Sequence, residues 1–103
     1  MNKQQALALL SQHRDEIAKK FSVKHLALFG STARGEATDG SDVDLAVRFD
    51  PERRPLGLAY IGRLDELSET LSDLLGCPVD IVVEPVKAAR LQRSIDEDRA
   101  IAF

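Results

Sequence analysis

Residues 30–45 read GSTARGEATDGSDVDL. Small residues and one arginine come first. Two aspartates, Asp42 and Asp44, then flank a valine where an alternating apolar run begins. Along an extended chain, Val43, Leu45, Val47 and Phe49 point one way, and Asp42, Asp44, Ala46 and Arg48 point the other. The alternation predicts a strand from Asp42 to Phe49 with one face in the core and one face carrying carboxylates. Aspartate is depleted in strands, so two of them on one face call for a chemical reason. Just upstream, HLALF at residues 25–29 reads as a short buried strand that ends at Gly30.

Helices are expected on either side. Leu7, Leu10, Ile17 and Phe21 fall at helical spacing behind Asn2, a good cap, and predict one amphipathic N-terminal helix. DPERRPLG, residues 50–57, reads as a loop. Leu58, Ile61, Leu64, Leu67, Leu71 and Leu74 then make a long apolar helical stripe, stopped by Gly76 and Pro78. VDIVV at residues 79–83 predicts a third strand. VKAARLQRSIDEDRA predicts a weakly amphipathic helix, and the final IAF a short strand or a docking tail. The order suggests a mixed α/β (α+β) fold: a small mixed sheet with helices on one face. The chain is expected to be one domain over residues 1–103.

Asp42 and Asp44 would share a face with Cα atoms about 6.5–7 Å apart. Carboxylates that close repel, and each favours a counter-charge. Magnesium takes oxygen ligands and is commonly held by one or two carboxylates plus phosphate oxygens. Asp80 is the natural third ligand, provided its strand lies beside the first pair. Three converging carboxylates can hold two ions, an arrangement that supports in-line phosphoryl chemistry. Gly30 would allow close backbone approach to a phosphate, and Ser31 offers a hydroxyl and an amide. Arg34 could contact phosphate, or brace the loop against Glu36 or an aspartate. Each signal alone is weak, because most glycine–serine pairs are turns and most exposed strand aspartates face solvent. The order and spacing of all of them fit one active-site plan.

The bulk numbers exclude several classes. A formal net charge of -3 argues against direct nucleic-acid binding. The single cysteine, Cys77, cannot form an internal disulfide and is expected to be a buried thiol. His13 and His25 stand apart from any partner at zinc-ligand spacing. No apolar run approaches the ~20 residues of a membrane span. The N-terminus lacks the pattern of a signal peptide, so a cytoplasmic protein is expected.

Gly30-Ser31, ten residues, then Asp42-Val43-Asp44 resembles the signature of the DNA polymerase β-like nucleotidyltransferase superfamily. The longer FGSTARGEATDGSDVDLAV is similar to its minimal nucleotidyltransferase (MNT) branch, with Asp80 at the third acidic position. The resemblance spans nearly the whole chain. It implies a small mixed sheet flanked by helices, with magnesium and ATP. It also implies that Gly30 and Ser31 bind the triphosphate, that Asp42, Asp44 and Asp80 hold the ions, and that Asp80 helps deprotonate the acceptor hydroxyl. Arg34 is a further nucleotide-binding carry-over. MNT proteins are frequently antitoxins that transfer AMP to a tyrosine of a HEPN-domain ribonuclease toxin. The resemblance thus implies such a toxin as partner, and an assembly with it. Two alternatives stay open: an antitoxin that neutralises by binding alone, and an adenylyltransferase of small molecules such as aminoglycosides.

Overall fold

The computed structural model describes residues 1–38 and 40–103. Its elements run α1 (Lys3–Gln12), α2 (Arg14–Phe21), β1 (Val23–Phe29), α3 (Gly30–Ala33), β2 (Val43–Phe49), α4 (Leu58–Leu75), β3 (Val79–Val83), α5 (Ala89–Asp98) and β4 (Ala100–Ile101). The strands form one mixed sheet in the order β3-β2-β1-β4. β1 pairs antiparallel with β2 and β4, while β2 and β3 are parallel. Parallel neighbours need a long crossover, which α4 supplies. The C-terminal residues are a strand: Ala100 and Ile101 pair with Leu28 and Ala27 of β1.

The expected N-terminal helix is two helices. The chain leaves helical geometry at His13 (φ -102°, ψ 16°) and restarts at Arg14. The apolar spacing still holds, with Ala6, Leu10, Ile17 and Phe21 all in the core. Asn2 caps as expected, in a reciprocal box with Gln5: the Gln5 amide donates to Asn2 Oδ1 at 2.8 Å, and the Asn2 amide to Gln5 Oε1 at 3.1 Å. The stripe on α4 is core only in its second half. Leu67, Leu71 and Leu75 are buried, whereas Leu58 and Ile61 are 87% and 57% exposed. Helix α4 ends where Gly76 takes a left-handed turn at φ 71°. Cys77, expected to be buried, is half-buried at the core margin.

Helices cover both faces of the sheet rather than one. Helices α1, α2 and α4 pack over Leu26, Leu28, Val43, Leu45 and Val47. On the other face, Ile95 of α5 packs against Phe29 and Ala46, with Val82 beside them. Ala46, expected on the carboxylate-bearing face away from the main core, is therefore 1% exposed. One lone isoleucine on a charged helix was too faint a signal to predict this second core.

Polar bonds hold α5 down as well. The Glu84 carboxylate is buried, and both of its oxygens accept from the Arg99 guanidinium. Gln92 Nε2 donates to Glu84 Oε2 at 2.6 Å. The Arg99 hydrogen bonds hold Glu84 below its usual carboxylate range, against the opposing effect of burial. Stability from Glu84 is thus present above the ordinary carboxylate pKa and is lost as pH falls through the depressed folded value. Glu84→Gln is expected to cost roughly 2–4 kcal/mol at neutral pH, because it leaves Arg99 without its charged partner. Urea unfolding at pH 7 and pH 3 checks this: the gap between parent and variant should shrink in acid.

Candidate active site

The β-sheet register decides which acids meet. Asp44 of β2 pairs directly with Asp80 of β3 in the parallel ladder. Paired residues in adjacent strands lie about 4.8 Å apart and point to the same face. That face is the one on which Ala46 and Val82 meet α5. The two acids from separate segments are therefore lateral neighbours. Asp42 was expected inside the strand. It lies one residue before β2 begins at Val43, and it is exposed. Ahead of it, the Ser41 amide donates to the Thr38 carbonyl at 3.0 Å and the Thr38 amide to Ser41 Oγ at 2.9 Å.

Gly30 sits against the Asp44 carboxylate. Phe29, the last residue of β1, is the register partner of Asp44. The chain then turns at Gly30 with φ 72° into the single turn of α3. A methyl group on Gly30 would overlap the Asp44 carboxylate. Glycine is required there twice, by the left-handed backbone and by the carboxylate packed against it. Ser31 follows, half-buried, at the start of a helical turn whose first amides have no carbonyl behind them.

The electrostatics record the crowding. Burial raises the Asp44 pKa first, then the charge of Asp80, then that of Asp42, while the Arg34 guanidinium partly offsets them. Arg34 itself braces the loop: its Nε donates to Glu36 Oε2 at 2.9 Å and its Nη1 to Asp98 Oδ2 at 2.7 Å. Of the two roles left open for Arg34, the geometry displays the brace. Asp98, at the end of α5, is a site neighbour that the sequence did not point to, since it lies 64 residues away. The expected convergence of three carboxylates is not seen: among the described residues, no three Asp, Glu, His or Cys side chains form a group placed to hold a metal ion. Asp44 is within electrostatic reach of both Asp80 and Asp42, and all three are hard oxygen donors, the ligand type that magnesium prefers.

Comparison with known proteins gives this geometry a family. Residues 10–103 match the model of the nucleotidyltransferase domain. The chain belongs to that family and is a nucleotidyltransferase. The protein adenylyltransferase MntA of Thermococcus cleftensis is 42% identical over 77 residues, covering 75% of this chain and 72% of its own. A solved structure described as a minimal nucleotidyltransferase superposes with a TM-score of 0.73 at 30% identity, over 97% of this chain and 95% of that one. A variant of the MntA–HpeT toxin–antitoxin complex contains a chain matched at TM-score 0.63 and 27% identity, over 100% of this chain and 72% of that one. Among the described residues, no helix is long and apolar enough to cross a membrane.

An acid whose folded pKa is raised binds its proton more tightly when folded, so its ionised form weakens the fold as pH rises through that value. Asp44→Asn is therefore expected to raise the melting temperature at pH 7, with the gain vanishing below the ordinary carboxylate range. A pair of thermal melts at pH 7 and pH 3.5 measures it. A lower melting temperature at pH 7 would contradict the crowding described above.

Proposed function

We propose that this chain is a magnesium-dependent adenylyltransferase that moves AMP from ATP to a hydroxyl of a partner protein. The partner in this reading is a HEPN-domain toxin, and the chain is its antitoxin. The observation that carries it is the lateral pairing of Asp44 with Asp80, with Asp44 packed against Gly30. The adenylyltransferase name of the Thermococcus relative and the toxin–antitoxin complex among the structural neighbours support the choice of acceptor and partner.

Asp42, Asp44 and Asp80 would hold the magnesium. Their fit to it rests on an all-oxygen donor set and on the register that sets Asp44 beside Asp80; burial first, and then the charges of Asp80 and Asp42, raise the Asp44 pKa. When bound, the metal supplies positive charge against the phosphate oxygens. The amides of Gly30 and Ser31 and the Ser31 hydroxyl bind the triphosphate. Arg34 keeps that loop in place through Glu36 and Asp98. Asp80, exposed on its strand, orients the acceptor hydroxyl and accepts its proton. The acceptor oxygen bonds to the α-phosphorus as the bond to the bridging oxygen of the leaving pyrophosphate breaks. Charge develops on the phosphate oxygens, so electrostatic stabilisation there dominates the rate enhancement.

The test is transfer of label from α-labelled ATP to a co-expressed HEPN toxin in the presence of magnesium. Parent protein should label the toxin, and Asp44→Asn should reduce labelling by at least about a hundredfold, the scale of losing a principal electrostatic contact. If the parent transfers nothing and Asp44→Asn still neutralises the toxin fully, the chain acts by binding alone. Labelling of an aminoglycoside in place of the toxin would make it a small-molecule enzyme.

A further inference from the structure

A second surface lies at the far end of the sheet from Asp44. A groove of ≈ 380 Å³ is lined by Lys24, His25, Arg48 and Arg54, over an apolar floor that includes Phe49 and Val83. All four of these basic residues are exposed, in a chain whose net charge is -3.

The fold builds this cluster. Val23 pairs with Phe49 but His25 with Arg48, so the β1–β2 register shifts between them and Lys24 is the extra residue. Such a bulge re-aims side chains that would otherwise alternate between faces. Lys24 and His25 are consequently both exposed, although they are consecutive in a strand. Arg54 arrives from the loop after β2, its guanidinium 4.9 Å from the centre of the Tyr60 ring, which orients it at little entropic cost. Arg48 approaches Glu84 only to 3.7 Å. That carboxylate is already occupied by Arg99 and Gln92. Glu84 is the one acid among the lining residues, so the concavity is net positive.

We propose that this groove is a docking site for an acidic, partly apolar peptide segment of a partner protein. Charge complementarity selects the acid. The floor of Phe49, Val83 and Pro85 selects a chain with side chains to bury. A nucleic acid is disfavoured, because a polyphosphate needs a basic track along its backbone, whereas this groove is short and contains a carboxylate. Arg48 lies four residues from Asp44 on the same strand face, about 13 Å away at strand rise. Docking there does not depend on the chemistry at Asp44.

Fluorescence anisotropy with three labelled probes tests the proposal: a decapeptide alternating Glu and Leu, one alternating Lys and Leu, and a ten-nucleotide oligothymidylate. The Glu–Leu peptide should bind, weaken with added salt, and bind about tenfold more weakly to Lys24→Glu/Arg54→Glu, the scale of reversing close interfacial charges. Arg54→Gln alone, at an exposed side chain, gives the same direction of change if the double variant does not fold. The proposal fails if no Glu–Leu peptide binds or if folded variants bind it as the parent does. It fails equally if the Lys–Leu peptide binds as tightly as the Glu–Leu peptide, or if the oligothymidylate binds in preference and loses affinity in the same variants.

Discussion

The contact between the Asp44 carboxylate and the backbone of Gly30 constrains everything around it. No side chain fits between them, and the left-handed turn at that point sends the chain from β1 directly into α3. One glycine thus sets the end of a strand, the start of a helical turn and the seat of an acid. The β1–β2 register, with Phe29 opposite Asp44, follows from that seat. The parallel β2–β3 register then brings Asp80 alongside. Burial and the neighbouring acids raise the Asp44 pKa, and on the proposed reading the negative charge is retained because a divalent cation offsets it and bridges it to an anionic triphosphate.

Helix α5 ties this end of the sheet to the other. Its Ile95 closes the smaller core over Ala46 and Phe29. Its C-terminal Asp98 holds Arg34 at the site, while Arg99, next along, holds Glu84. The two neighbouring residues serve opposite ends of the same sheet face. Displacing α5 would loosen the motif loop and uncover the apolar strip between Asp44 and Arg48 together. This explains how a helix with a single buried residue stays docked: directional, charge-assisted bonds supply what the apolar contact area does not.

Local pattern made much of this legible in the sequence. The alternation over Val43–Phe49, the Asn2 cap, the glycine after α4 and the VDIVV strand each rest on near neighbours in the chain. The faces of Asp44 and Asp80 were also legible, because strand alternation alone defines them, whereas Asp42 was expected inside the strand and lies just before it. Long-range facts were not. That β3 runs parallel to β2 in the register pairing Asp44 with Asp80 depends on the α4 crossover. The Arg34–Asp98 and Glu84–Arg99 pairs join residues whose spacing carries no signal, and the break at His13 interrupts an apolar spacing that continues across it. The exposed start of α4 shows the limit of periodicity: Leu58 and Ile61 keep the helical spacing but extend past the sheet that would bury them.

The central claim is that the acids around Gly30 form the divalent-ion and triphosphate site. Paramagnetic line broadening of backbone amide signals by manganese, added with a non-hydrolysable ATP analogue, tests it directly. Selective loss of the Gly30, Ser31, Asp44 and Asp80 signals at substoichiometric manganese is the expected result. Broadening centred on the acids of α4 or α5, with those four signals intact, would contradict it.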